Sequence, residues 1–169
     1  FARLDSIVDK NNIVCLEGEA GTEKESFGKY LHYQQYNQKN NFVSVPLNLL
    51  LSEQQESIAA ITELAKTLER LEEGTVYLSG FVNLNIENQT KVQNFFNNWL
   101  PKQRNIYVLE MPKIMRKMPT PEDDIALKQM LSDAVIIDLP PLRQHLQDVP
   151  DLLKIFVDYF VTAEGLSQK

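Results

Sequence analysis

An α/β fold with a five-stranded parallel sheet covered on both faces is predicted by three features of the sequence. Short apolar segments alternate with longer stretches of helical spacing, Gly, Pro and Asn stand at the joints, and the order β then α repeats to the end. In such a sheet any ligand site lies at the carboxyl ends of the strands. The first strand is Ile13-Val14-Cys15-Leu16, led in by Asn11 and Asn12 and running out into the turn Glu17-Gly18-Glu19-Ala20-Gly21. The first helix covers Lys24 to about Gln35, because Phe27, Tyr30 and Leu31 recur at the i, i+3, i+4 spacing of one helix face.

Phe42-Val43-Ser44-Val45 reads as the second strand, closed by Pro46, whose missing N–H suits a strand end. Ser52 with Gln55 fits a capping box, and Ile58, Ile61, Ala65, Leu68 and Leu71 carry a helical stripe toward Gly74. Thr75-Val76-Tyr77-Leu78 is the third strand. Ile86 to Leu100 follows as a helix with Val92, Phe95, Phe96 and Trp99 on its apolar side, ended by Pro101. Asn105 to Leu109 gives the fourth strand, Ile125 to Leu131 a helix, Val135-Ile136-Ile137 the fifth strand, and Val149 to Val161 a closing helix. No repeat or linker divides the sequence, so residues 1–169 read as a single domain.

Composition narrows the function. With 43% hydrophobic and 24% charged residues in 169, the chain can bury one sizeable core, which excludes disorder, collagen and coiled coil. Seventeen Lys and Arg against 23 Asp and Glu leave a net charge of -6, the wrong sign for a surface that grips phosphate backbones. The single cysteine, Cys15, can close no intrachain disulfide and is too few for a Cys-type zinc site, which points to the cytoplasm. No apolar run approaches the ~18–20 residues that span a bilayer, so no membrane role is expected. Phe1 in place of Met suggests a piece of a longer protein.

Gly18-Glu-Ala-Gly-Thr-Glu-Lys24 stands between the first strand and first helix, where a phosphate-cradling loop would offer backbone N–H groups and a lysine to an anion. The pattern G-x-x-x-x-G-K needs its second glycine at position 23, and here that residue is Glu23. Gly18 to Glu25 is similar to the GESGTGKE of the NtrC-like, sigma-54-dependent transcriptional activators, and Leu31-His32 and Phe42-Val43-Ser44-Val45 follow as in that family. Gly74-Thr-Val-Tyr-Leu78 resembles the GTLFL that leads into the family's Walker B pair, and Asp138-Leu-Pro-Pro-Leu-Arg143 with Asp148-Val-Pro150 resembles its LPPLRER and DIP segments. The resemblance spans about residues 13 to 160. It implies a P-loop NTPase of AAA+ type, a three-layer sandwich, here without the family's helical lid.

Family members hydrolyse ATP with Mg²⁺ in hexameric rings and remodel a sigma-54 polymerase complex. Residue by residue, Gly18, Gly21, Thr22, Lys24 and Glu25 match the phosphate loop and form the candidate cofactor-binding set, in vestigial form. Glu23 places a carboxylate beside the phosphates, where repulsion at ~4 Å is about 1 kcal/mol in water and about 4 at an effective dielectric of ~20. The acidic pair that holds Mg²⁺ and polarises water is replaced by Ser79-Gly80. The asparagine that partners the catalytic glutamate falls on Pro46, and the sensor threonine aligns with Glu110. The trans-acting arginines of the family's FRxDLYYR segment fall on Ile125 and Leu131, and the GAFTGA loop is replaced by the helical segment from Ser52 to Glu73. No catalytic or metal-ligating residue is assigned.

The remaining chemistry-bearing residues have plainer readings. Lys24 is either a phosphate contact or a surface lysine at a helix start. His32 and His145 read as ordinary helix and loop residues, and Arg143 as structural. Cys15 reads as a packing residue, and Phe95, Phe96 and Trp99 as core rather than a base-stacking platform. Glu122-Asp123-Asp124 after Pro121 suits the positive end of a helix dipole, and the Asn- and Gln-rich stretches 34–41 and 83–98 read as solvated surface.

The resemblance therefore implies a regulatory or oligomerisation module of a bacterial transcriptional regulator that has lost ATP hydrolysis, with no cofactor. Its expected partners are copies of itself or related AAA+ subunits, and RNA polymerase or a sigma factor, while DNA would be read by a domain outside this chain. The alternative is a nucleotide-binding or still active AAA+ ATPase, with ATP and Mg²⁺ as cofactors, that drives sigma-54-dependent transcription. A response-regulator setting in the cytoplasm fits either reading.

Overall fold

Alternation with period two decides the layering. In β1 (Ile13–Gly18), Val14 and Leu16 face one side of the sheet and Cys15 the other, and all three are fully buried. The same alternation sets Tyr77 against Val76 and Leu78 in β3 (Gly74–Ser79), and Ile106 and Val108 against Tyr107 and Leu109 in β4 (Ile106–Met111). A sheet apolar on both faces needs a helical layer on each. The computed structural model of the chain, which describes residues 13–36, 40–51, 57–71, 73–99, 105–113, 131 and 134–163, supplies both.

Among the described residues all pairings are parallel and the strand order is β2-β3-β4-β1-β5, with β2 at Asn41–Pro46 and β5 at Val135–Leu139. Helix α1 (Lys24–Tyr36) covers the face of Val14, Leu16, Tyr77 and Val108, meeting them through Leu31 and Phe27. The short α2 (Leu47–Leu50), α3 (Ser57–Glu69) and α4 (Ile86–Trp99) cover the opposite face, where Leu47, Leu64, Leu68, Val92 and Phe96 pack on Cys15, Val76 and Leu109. The chain leaves β1 on one face and leaves β2 and β3 on the other. The crevice at the carboxyl ends of β1 and β4 is therefore the topological switch point.

The chain divides into two compact units, Phe1–Leu139 and Pro140–Lys169. The first carries the sheet. The second contains the 3₁₀ turns Leu142–Gln144 and Leu146–Asp148 and helix α5 (Val149–Ala163), on which Leu153, Ile155, Phe156, Val157, Tyr159 and Phe160 are each more than half exposed. No described helix is long and apolar enough to cross a membrane.

Several expectations need adjustment. Pro46 ends β2 as predicted, but with φ -77° it also starts the unpredicted α2, since the ring fixes a φ compatible with a helix start. The helix expected from Ser52 is described over Ser57–Glu69, and its capping box lies outside the described residues. The Asn/Gln-rich stretch 83–98 is not all solvated: Asn88 is buried and donates from Nδ2 to the Leu51 carbonyl at 3.2 Å, and Gln93 is buried too. Glu122-Asp123-Asp124, Ile125 and the side chain of Trp99 lie outside the described residues, while Leu131 packs against the core.

Candidate functional site: a phosphate loop closed on its own lysine

The loop that leaves β1 keeps its turn geometry. Gly18 is required by contact, since a Cβ there would lie 2.4 Å from Thr22 Oγ1, and Gly21 takes φ +83°, which favours glycine. Thr22 turns its hydroxyl inward, donating from Oγ1 to the Glu19 carbonyl at 2.9 Å. Glu23 occupies the left-handed region at φ 54°, among the described residues the only non-glycine with positive φ. The glycine of the phosphate-loop pattern would take that conformation without strain, whereas a side chain costs roughly 1–2 kcal/mol. The Glu23 carbonyl receives the Phe27 N–H at 3.0 Å, and its carboxylate accepts from Ser26 Oγ at 3.0 Å, so it settles at the head of α1.

Lys24 is not a surface lysine. It is 7% exposed, and its Nζ donates to the carbonyls of Glu19 at 2.8 Å and Gly18 at 3.2 Å and stands 3.5 Å from Glu110 Oε1. The ammonium folds back over its own loop. Glu110 reaches it because β1 and β4 pair with Leu16 opposite Glu110, and because Glu110 follows Val108 by two residues and so shares the α1 face. Its other oxygen, Oε2, accepts from Tyr77 Oη at 2.9 Å. Burial, and then the Glu110 carboxylate, push the Tyr77 phenol well above its ordinary range.

Ser79 and Gly80, where the resemblance places the Walker B pair, carry no carboxylate. Ser79 ends β3 opposite Pro46 of β2, and Gly80 takes φ +74°. A Cβ on Gly80 would lie 2.2 Å from Asn48 Oδ1. Asn48, two residues beyond Pro46, thus fills the space next to Gly80, the position where the resemblance expects a glutamate. The remaining candidate, Glu25, is paired with Lys29 on the surface at 3.0 Å. Between Glu17 and Glu25 the chain carries four glutamates and one lysine. Among the described residues no three His, Cys, Asp or Glu side chains are grouped closely enough to hold a metal ion.

The structure therefore gathers Gly18, Gly21, Thr22 and Lys24 at the switch point and leaves Glu25 outside. His32 is a buried connector: Nε2 donates to the Asn40 carbonyl at 3.1 Å and Nδ1 lies 3.0 Å from Thr75 Oγ1. Cys15 is fully buried in the core, and Phe95 and Phe96 pack there as expected. Arg143 and His145 belong to the second unit. Sequence reasoning missed Tyr77 and Asn48. A signal for Tyr77 was present in Gly28, a glycine inside a helix, where a Cβ would lie 2.9 Å from the Tyr77 ring.

Comparison with known proteins agrees with this architecture. The chain is 26% identical to the transcriptional regulatory protein FlbD of Caulobacter vibrioides over 98% of its own length, and 24% identical to the nitrogen assimilation regulatory protein NtrX of Azorhizobium caulinodans over 99%. It spans 40% of the length of each. In fold it is similar to AMPPCP-bound DnaA from Aquifex aeolicus, at 13% identity and a TM-score of 0.62, covering 94% of this chain and 52% of that one. The fold is that of the AAA+ P-loop NTPases. The family profile of the Sigma-54 interaction domain matches residues 1–99, more than half of the sequence, and the chain belongs to that family.

Proposed function

We propose that this chain is the AAA+ core of a longer bacterial transcriptional regulator, serving as a regulatory or oligomerisation module in which ATP hydrolysis has been lost. The observation that carries the reading is the buried Lys24, whose ammonium is engaged by two loop carbonyls and Glu110 rather than directed outward. The residues do not fit a magnesium nucleotide. Ser79 and Gly80 supply no carboxylate for the metal or for the attacking water, and Glu23 sets a negative charge on the loop. Family membership and the transcriptional regulators among its relatives support the regulatory role.

The work of such a module is protein contact, through association with copies of itself or related AAA+ subunits and through RNA polymerase or a sigma factor. DNA reading falls to another domain, in keeping with the acidic charge. A second reading, nucleotide binding with or without turnover, is favoured by the retained turn geometry of Gly18, Gly21 and Thr22.

Calorimetric titration with an unhydrolysable ATP analogue and Mg²⁺, paired with a phosphate-release assay, separates the two. The proposal expects no heat and no phosphate from the natural sequence, with weak binding gained in Glu23→Gly. Micromolar binding lost in Lys24→Ala, or steady phosphate release, would replace it with the second reading.

A further inference from the structure

We propose that Glu110 is a built-in counter-anion that holds the phosphate loop shut, so that a polyphosphate can bind only by taking the place of this carboxylate at Lys24. This rests on the reading above, in which the loop no longer turns over nucleotide.

A lysine ammonium this deeply buried needs a compensating charge. The carbonyls of Gly18 and Glu19 supply dipoles, and Glu110 supplies the charge. Carboxylate and phosphate are both oxyanions with the same claim on one ammonium, so they compete. Glu110 has the advantage of being held in place. Tyr77 Oη donates to its second oxygen, and Tyr77 is itself fixed, lying beneath Gly28 and stacked against Phe42 at a centroid distance of 6.1 Å. The lysine comes from the loop, the carboxylate from β4 and the clamp from β3, and the parallel register of the three strands brings them together on the α1 face.

The test is titration of the 169-residue chain with inorganic pyrophosphate, followed calorimetrically. Glu110→Gln keeps the shape and removes the charge, and should bind pyrophosphate at least ten-fold more tightly than the natural sequence. Adding Lys24→Ala to that variant should abolish the gain. Tyr77→Phe, which frees one carboxylate oxygen but leaves the charge, should give a smaller gain of a few-fold, and decides the matter if Glu110→Gln fails to fold. Folded variants that bind no better than the natural sequence, or a gain that survives Lys24→Ala, would overturn the inference. Those results bear on Glu110 alone, whereas phosphate release from the natural sequence would overturn the proposed function.

Discussion

The Lys24 ammonium and the Glu110 carboxylate, far apart in the chain, stand 3.5 Å from each other at the carboxyl ends of neighbouring parallel strands. Parallel pairing of β1 with β4 sets Glu110 beside the base of the loop, and the period of two turns it toward α1, whose first residue is Lys24. The pair joins loop to sheet at the position where a P-loop protein would meet a phosphate.

Placing a glutamate at the end of β3, as the proposed function would have it, should not produce phosphate release. Gly80→Glu puts a side chain on a φ of +74° and a Cβ 2.2 Å from Asn48 Oδ1. The expected cost is about 1–3 kcal/mol, seen as a melting temperature several degrees lower, with no phosphate release. Turnover by a variant as stable as the natural sequence would show that the backbone can carry the catalytic base.

The His32 connection should be a substantial local support. The Asn40 carbonyl can only accept, so Nε2 of His32 donates to it, and Nδ1 lies 3.0 Å from the hydroxyl of the fully buried Thr75. His32→Leu strands that hydroxyl and should cost about 1–3 kcal/mol in urea unfolding. Adding Thr75→Val should recover part of the loss, because the two changes share one hydrogen bond. Simple additivity would argue against the bond.

Alkaline pH should unfold the protein through its buried tyrosines. Burial raises the phenols of Tyr77 and Tyr107 well above their ordinary value of 10.0, helped in Tyr77 by the Glu110 carboxylate. The folded state thus holds protons that the unfolded state releases first. This contribution is intact below about pH 10 and is lost as pH rises beyond it, by up to about 1.4 kcal/mol per pH unit for each tyrosine. Urea unfolding between pH 8 and 11 should show the decline, and Tyr77→Phe and Tyr107→Phe should each flatten it. An unchanged slope in both variants would place the cause elsewhere.

Much of this protein was determined by sequence alone. Alternating strands, a glycine-bearing turn and the apolar stripe of α1 specify a parallel sheet with two covered faces, because burial of periodic apolar residues admits few other arrangements. The carboxylate of Glu23 in the phosphate-loop pattern, and Ser79, Gly80 and Pro46 where the resemblance expects an acidic pair and an asparagine, are likewise local features that were legible in the sequence. The burial of Lys24, its partnership with Glu110 and Tyr77, and the approach of Asn48 to Gly80 were decided only by the tertiary structure. Each joins residues from different strands or loops. Sequence periodicity gives the face on which a side chain lies, but strand order and register decide which side chain from another strand meets it there.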